Sequence, residues 1–205
     1  MSATEQISIR VEPTTTSRLS QVDFNNLKFG QIMSDHMLVA EYNNGKWEDV
    51  SIVPYGDLTI SPSMSALHYG QSIFEGIKGY KFEDGTVSIF RPDKNWERFN
   101  KSASRLQMPE VPEEIFLGGL KQLLDIDRDW VPSIEGTSLY IRPFMFATES
   151  ALGVHPSISY KFVIITCPVG AYYSKPISLK VETQYTRAAE GGVGFSKNAG
   201  NYALS

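Results

Sequence analysis

The stretch Thr137-Ser-Leu-Tyr-Ile-Arg-Pro-Phe-Met-Phe146 is rich in β-branched, aromatic and aliphatic residues, a composition typical of a central strand. Because side chains alternate between the two faces of a strand, Tyr140, Arg142 and Phe144 are expected to share one face. Residues 160–167 and 177–181 have a similar composition and are predicted as two further strands.

Two hairpins are predicted upstream of this strand. The first joins residues 37–42 to residues 47–53 through Asn43-Asn-Gly45, and the second joins residues 77–82 to residues 87–90 through Glu83-Asp-Gly85. Asn-Gly and Asp-Gly pairs favour tight turns because both residue types tolerate positive φ. Antiparallel pairing is therefore expected in this half of the chain.

Two helices are predicted between these groups of strands. After Arg91-Pro92, apolar residues recur at steps of three and four, and Asp93 is expected to cap the first turn. The recurring residues are Trp96, Phe99, Ala103 and Leu106. A second helix is expected from Pro112 to just before Val131. Helices inserted between runs of antiparallel strands predict the α+β class.

Composition excludes several classes of function. The 205 residues include 19 Lys and Arg against 23 Asp and Glu, which is a poor match to a nucleic-acid partner. One cysteine and three histidines offer neither a disulfide nor a metal-ligand spacing, so no metal is expected and a reducing compartment, the cytoplasm, fits best. The longest uncharged apolar run, residues 162–173, is too short to cross a membrane.

The segment Gly191-Gly-Val-Gly-Phe-Ser-Lys-Asn-Ala-Gly200 surrounds one lysine with glycines. Ser196 and Asn198 flank Lys197, which does not match a phosphate-binding P-loop, and the dinucleotide fingerprint lacks its third glycine. Two interpretations remain: a solvated loop lysine, or a Schiff-base lysine on a backbone that a flat cofactor ring can approach. On the second interpretation, Tyr202 could donate a hydrogen bond to a ring oxygen; otherwise it is a core aromatic residue.

Arginines supply the remaining candidates. Arg142 lies in an apolar strand, and a buried guanidinium needs an anion, so either a structural carboxylate or a substrate carboxylate is expected to meet it. Arg98, early in the first predicted helix, has by itself the features of a surface residue.

Seven short motifs occur in the order seen in the branched-chain amino acid aminotransferases, so the chain resembles that family. They are His68-Tyr-Gly70, Ser72-Ile-Phe-Glu-Gly76, Phe90-Arg-Pro92, Asn95-Trp-Glu-Arg98, Ser138-Leu-Tyr-Ile-Arg-Pro143, Cys167-Pro-Val-Gly-Ala-Tyr172 and Lys197-Asn-Ala-Gly-Asn-Tyr202. The ordered set is much more specific than any single motif. The resemblance implies a fold-type IV enzyme that uses pyridoxal 5'-phosphate.

The resemblance also assigns roles to residues of this chain. Lys197 matches the lysine that holds the cofactor and shuttles the proton of the substrate α-carbon. Arg98 matches the phosphate-binding arginine, and Tyr202 matches the partner of the ring oxygen. The walls of the substrate side-chain pocket are implied to be Tyr69, Phe74, Tyr140 and Tyr172.

Two further roles follow from the same resemblance. Arg142 matches the residue for the distal carboxylate of glutamate or 2-oxoglutarate. Leu152 and Val154 match the loop that reaches the site of a neighbouring subunit. A homodimer or a higher homo-oligomer is therefore expected.

The implied reaction transfers the amino group of leucine, isoleucine or valine to 2-oxoglutarate. The rival functions are a D-amino acid transaminase, an aminodeoxychorismate lyase of the same fold, and a catalytically inactive fragment. The expected organisation is a flexible tail over residues 1–26, a small α+β domain over 27–172, and over 173–205 an interdomain segment with the beginning of a larger α/β cofactor domain, most of it absent from the chain.

Overall fold

One mixed sheet of eight strands organises the residues that the computed structural model describes, 7–173 and 175–203. The strands are β1 (Arg10–Val11), β2 (His36–Asn43), β3 (Lys46–Pro54), β4 (Ser72–Phe74), β5 (Ile77–Lys81), β6 (Val87–Ile89), β7 (Ser138–Ala147) and β8 (Ser159–Val169). The α-helices are α1 (Ser65–Tyr69), α2 (Pro92–Arg105) and α3 (Gly119–Ile126). The predicted α+β class is confirmed.

The strand order is β1-β3-β2-β8-β7-β5-β6, and β4 also pairs with β7. The long pair β7 and β8 is antiparallel from Ser138 opposite Val169 to Ala147 opposite Tyr160. Both predicted hairpins, β2 with β3 and β5 with β6, are confirmed. Antiparallel pairing dominates as expected, and only the short β1 runs parallel to its neighbour, β3, in the described sheet.

The two faces of the sheet have different roles. The main core lies on the face covered by α2 and α3, where the rings of Phe99, Phe116 and Phe162 lie within 5.6 Å of one another. On β7, Tyr140, Arg142 and Phe144 are each only partly buried and alternate with buried residues, which confirms their shared face. Tyr140 and Arg142 contribute to the candidate site from this second face.

The first predicted helix is present, but its cap differs from the prediction. Pro92 is the first residue of α2, so Asp93 already lies inside the first turn and makes no capping hydrogen bond. It contributes there as an acidic residue near the positive end of the helix dipole.

The second predicted helix is divided into a π-helical turn (Glu114–Gly118), α3, and a 3-10 turn (Arg128–Trp130). None of the described helices is both long and apolar enough to span a membrane.

Part of the amino-terminal segment contacts the folded domain, and the flexible tail over residues 1–26 stays a prediction. Asp35 accepts hydrogen bonds from the Ser17 hydroxyl and the Arg18 backbone N–H, at 2.5 and 2.9 Å. His36 Nε2 accepts from the Thr14 backbone N–H at 2.9 Å. Four apolar side chains of the segment also pack against the main core: Ile7, Ile9, Leu19 and Val22. Residues 1–6 lie outside the described part.

The predicted strand over residues 177–181 is wrong. Among the described residues this segment pairs with no other strand, and the exposed fractions of Leu179 and Val181 are 84% and 82%. Strand propensity alone does not form a strand, because the backbone groups need a partner. Residues 174, 204 and 205, which belong to the expected segment 173–205, lie outside the description.

Candidate functional site

Lys197 lies in a cluster with two aromatic residues. Its Nζ donates a hydrogen bond to the Tyr202 hydroxyl at 3.0 Å and lies 4.5 Å from the ring centroid of Phe74. The centroids of Phe74 and Tyr202 are 4.8 Å apart. The structure therefore brings three residues predicted for the site together around one partly buried amine.

The backbone of Lys197 is fixed between β4 and α2. Its N–H donates to the Ser102 hydroxyl oxygen at 2.9 Å, and its carbonyl accepts from the Phe74 N–H at 3.0 Å. The next residue, Asn198, forms an isolated antiparallel bridge with Ile73. The lysine is therefore positioned by the folded domain and not by its loop alone.

A buried polar cluster closes the loop that carries Lys197. The Val193 carbonyl accepts hydrogen bonds from the Ser196 hydroxyl at 2.7 Å and the Asn201 side-chain amide at 3.0 Å. Asn198 Oδ1 accepts from the Asn201 backbone N–H at 3.1 Å. Since Ser196, Asn198 and Asn201 are all buried, these bonds satisfy groups that would otherwise lose hydration without compensation.

The glycines of this loop have a role in its own folding, and the expectation that they also leave the backbone open to a cofactor stays a prediction. Gly191 has a φ of +72°, which favours glycine. A Cβ at Gly194 would lie 2.3 Å from the Ala188 Cβ, and one at Gly192 would lie 3.0 Å from the Ala189 carbonyl oxygen. The glycines therefore allow the loop to lie against residues 188–189.

Arg98 is held by a carboxylate that the sequence interpretation did not select. Glu75 accepts hydrogen bonds from Arg98 Nε at 2.6 Å and Nη2 at 2.8 Å, and from Asn95 Nδ2 at 3.0 Å. The Glu75 side chain is fully buried, whereas that of Arg98 is 55% exposed. Hydrogen bonds to this carboxylate raise the pKa of Arg98 above its ordinary value, so the guanidinium stays charged.

Arg142 lies against aromatic surfaces. Its Nη2 and Nε donate to the Tyr140 hydroxyl at 2.7 and 3.2 Å, and its Cζ lies 4.4 Å from the ring centroid of Phe74. No carboxylate in the described part of the chain forms a salt bridge with it. Of the two anions expected for this guanidinium, the structural one is therefore absent from residues 7–173 and 175–203.

A cavity of about 150 Å³ opens beside Arg142. Its lining residues are Phe29, Gly30, Met33, Tyr140, Arg142, Ile165, Thr166 and Cys167. The rings of two lining residues, Phe29 and Tyr140, lie edge-on at 4.9 Å, and Phe29 also contacts Tyr172, which does not line the cavity, at 5.3 Å. Burial raises the pKa of the Cys167 thiol, so this lining residue stays in its neutral form.

Three predicted site residues lie elsewhere. Tyr69 ends α1 and lines a separate groove with Val154 and His155. The described structure records no ring contact between Tyr69 and either Phe74 or Tyr140. Leu152 and Val154 are 69% and 89% exposed. These residues therefore do not complete the cluster around Lys197 within this chain.

The sequence interpretation missed several residues that shape the site, namely Phe29, Glu75, Ser102, Asn198 and Asn201. Glu75 carried a usable signal, because it is a charged residue in the apolar run Ile73-Phe-Glu-Gly-Ile77. Ser102 follows Arg98 by four residues, the spacing that places two side chains on one helical face. Phe29 carried no comparable signal.

The chain is similar to known proteins in sequence, although no family model matches it. A "probable branched-chain-amino-acid aminotransferase" of Staphylococcus aureus (strain N315) is 52% identical over 203 residues, which cover 97% of this chain and 56% of that protein. The chain spans about half the length of the curated relatives that it matches.

Solved structures share the fold. The branched-chain amino acid aminotransferase of Escherichia coli matches with a TM-score of 0.62 at 25% identity, covering 82% of this chain and 53% of that one. The T.th. branched-chain amino acid aminotransferase, whose crystal structure contains pyridoxamine 5'-phosphate, matches with a TM-score of 0.58 at 27% identity, covering 80% and 52%. Together with the ordered motifs, this similarity shows that the chain belongs to the branched-chain amino acid aminotransferase family, of which it represents an N-terminal part.

Proposed function

We propose that the protein carrying this chain transfers the amino group of leucine, isoleucine or valine to 2-oxoglutarate with pyridoxal 5'-phosphate as cofactor. The observation that carries the proposal is the hydrogen bond from Lys197 Nζ to the Tyr202 hydroxyl at 3.0 Å, beside the Phe74 ring. The pyridoxamine 5'-phosphate in the T.th. structure supports the choice of cofactor.

The residues present fit this cofactor. Lys197 offers an amine, Tyr202 a phenol for the ring oxygen, and Arg98 a half-exposed guanidinium for the phosphate. Bound pyridoxal phosphate would supply the aldehyde and the electron-withdrawing ring on which transamination depends. Lys197 would accept the proton of the substrate α-carbon, and Tyr202 would keep that amine in position.

The aromatic cavity supports an aliphatic substrate side chain. Phe29 and Tyr140 line the cavity together with Arg142, and the ring of Phe74 contacts both Arg142 and Lys197. Burial of a Leu- or Val-sized group contributes about 1.5–3 kcal/mol. This contribution favours branched-chain amino acids over small or polar ones.

Arg142 supports the second substrate. In the described structure its guanidinium is held by a phenol and an aromatic face instead of a carboxylate. Such a group can accept the distal carboxylate of 2-oxoglutarate or glutamate through charge-assisted hydrogen bonds. We propose that the same pocket binds an apolar side chain and a carboxylate in turn.

The remaining parts of the proposal concern organisation and assembly. We propose a small domain over 27–172, with 173–205 leading into a larger cofactor domain, in a cytoplasmic homodimer or higher homo-oligomer. The exposure of Leu152 and Val154 supports the assembly, because an apolar loop of this kind is covered when a second subunit binds. Light scattering of the full-length protein tests the proposed assembly, and a monomer at the concentration of the activity assay would contradict it.

Covalent labelling tests the role of Lys197. Borohydride treatment of the full-length protein in the presence of pyridoxal phosphate is expected to attach the cofactor to Lys197. Peptide mapping locates the label. Lys197→Ala is expected to lose the visible absorbance of the bound cofactor and all transamination, whereas Lys180→Ala, on an exposed lysine, keeps both. A label on another lysine would contradict the assignment.

Substrate comparison separates the rival functions. The proposed enzyme converts L-leucine, L-isoleucine and L-valine, whereas a D-amino acid transaminase prefers D-alanine and an aminodeoxychorismate lyase releases pyruvate from its substrate. The aromatic cavity beside Arg142 favours the first outcome. Turnover of either rival substrate without turnover of L-leucine would overturn the proposal.

A further inference from the structure

Glu75 is an acidic residue placed where an isolated charge is costly. Its carboxylate has no solvent exposure, and burial of an unpaired carboxylate would cost several kcal/mol. It is satisfied by Arg98, by Asn95 Nδ2 at 3.0 Å and by the Gly76 N–H at 3.2 Å. Two of the four hydrogen bonds to this carboxylate therefore come from one guanidinium.

The contact with Glu75 occupies one edge of the Arg98 guanidinium. Nε and Nη2 each donate to a different Glu75 oxygen, a bidentate arrangement that fixes the plane of the group. Nη1 has no hydrogen-bond partner in the part of the chain that the structure describes. Because the Arg98 side chain is 55% exposed, the Nη1 side is accessible to an anion.

The same helix connects Arg98 to Lys197. Ser102 lies one turn after Arg98, donates its hydroxyl hydrogen to the Arg98 carbonyl at 3.0 Å and accepts the Lys197 N–H. A guanidinium fixed on α2 is therefore also fixed relative to the amine of Lys197. A ligand that contacts both the Arg98 guanidinium and the Lys197 amine must match the distance between these two groups.

We infer that Glu75 is a positioning residue, which orients Arg98 so that Nη1 meets the phosphate of the cofactor. This inference rests on the proposed function, since it assigns the phosphate to Arg98. Glu75 itself lies behind the guanidinium and does not touch the ligand. Glu75 is therefore expected to affect binding of the cofactor phosphate and to leave binding of the aldehyde and the ring unchanged.

The test compares two ligands that differ only in the phosphate. The apo form of the full-length protein is titrated with pyridoxal phosphate and with pyridoxal, and binding is followed by absorbance. Glu75→Gln keeps the size of the side chain but turns one acceptor into a donor facing Arg98. Its preference for pyridoxal phosphate over pyridoxal is expected to fall at least about tenfold, with pyridoxal affinity unchanged. Glu97→Gln, an exposed change on the same helix, leaves the preference unchanged.

Each other outcome overturns the inference. An equal loss of affinity for both ligands in Glu75→Gln would show that Glu75 has a merely structural role. No loss of affinity for either ligand would show that Arg98 does not need Glu75 for its orientation. In an Arg98→Ala background, Glu75→Gln should produce no additional loss, and an additional loss would contradict action through Arg98.

Two further measurements keep the test decisive. If Glu75→Gln does not fold, Asn95→Ala removes one support of Glu75, and a smaller loss of the same preference is expected; an unchanged preference would contradict the inference. A wild-type protein without preference for pyridoxal phosphate would instead overturn the phosphate role of Arg98 in the proposed function.

Discussion

The backbone N–H of Lys197 donates to the hydroxyl oxygen of Ser102 at 2.9 Å, across 95 positions of sequence. This bond attaches the lysine loop to α2, the helix that also carries Arg98. Both ends of the candidate cofactor site therefore depend on one helix.

Ser102→Ala is expected to loosen the lysine loop. The Lys197 N–H would lose its partner, and an unsatisfied, partly buried donor costs about 1–3 kcal/mol. Hydrogen exchange of residues 196–201 in the full-length protein should become faster, whereas exchange in β7 and β8 stays unchanged. Ser104→Ala, on an exposed position of the same helix, is the matched control. Unchanged exchange at Lys197 would argue against the coupling.

Arg142→Ala is expected to impair the glutamate half-reaction more than the leucine half-reaction. Only glutamate brings a distal carboxylate to the guanidinium, and a lost charge-assisted hydrogen bond costs about 1.5–3 kcal/mol. Single-turnover kinetics measure the two half-reactions separately. Arg128→Ala, a surface change, should affect neither. Equal losses in both would assign Arg142 a structural role with Tyr140 and Phe74.

The attachment of the amino-terminal segment is expected to depend on pH through Asp35. Burial raises the pKa of this carboxyl, but hydrogen bonds from the Arg18 N–H, the Ser17 hydroxyl and the Trp130 indole outweigh burial and lower it overall. A depressed folded-state pKa stabilises the ionised form. The stabilisation is therefore complete above the ordinary pKa of 3.8 and is lost as pH falls through the folded value.

Asp35→Asn tests this dependence. At pH 7 the variant should lose about 1.5–3 kcal/mol of protection for residues 14–22, because its hydrogen bonds no longer involve a charged acceptor. Hydrogen exchange provides the measurement, and the difference from wild type should shrink as pH falls below 3.8. Asp57→Asn, on an exposed loop, serves as the control. A difference independent of pH would contradict the ionic contribution of Asp35.

The 205-residue chain expressed alone is expected to self-associate and to show no transamination. It spans about half the length of its curated relatives, and Leu179 and Val181 are more than four-fifths exposed. Exposed apolar side chains in an unpaired segment favour association with other chains. Size-exclusion chromatography with light scattering should show oligomers, and Leu179→Ser with Val181→Ser should reduce them. A soluble monomer that converts leucine would refute this expectation.

Short sequence patterns correctly predicted the hairpins and the helix that depend on interactions between residues close in sequence. Asn43-Asn-Gly45 and Asp84-Gly85 specified two hairpins, since turns depend on residues adjacent in sequence. The apolar period from Trp96 to Leu106 specified α2 for the same reason. The segment 177–181 had strand composition but no partner in the described structure, so the same reasoning failed there.

By itself, the sequence determined the α+β class, the shared face of Tyr140, Arg142 and Phe144, and the ordered motifs of the aminotransferase family. The pairing of Glu75 with Arg98, 23 positions apart, and of Lys197 with Ser102 was decided only by tertiary structure. Turns and helical periods arise from neighbouring residues, whereas the partner of a buried charge or amide depends on which distant segment the fold places beside it. For this reason candidate chemistry-bearing residues could be proposed from the sequence, whereas the residues that hold them in place could not.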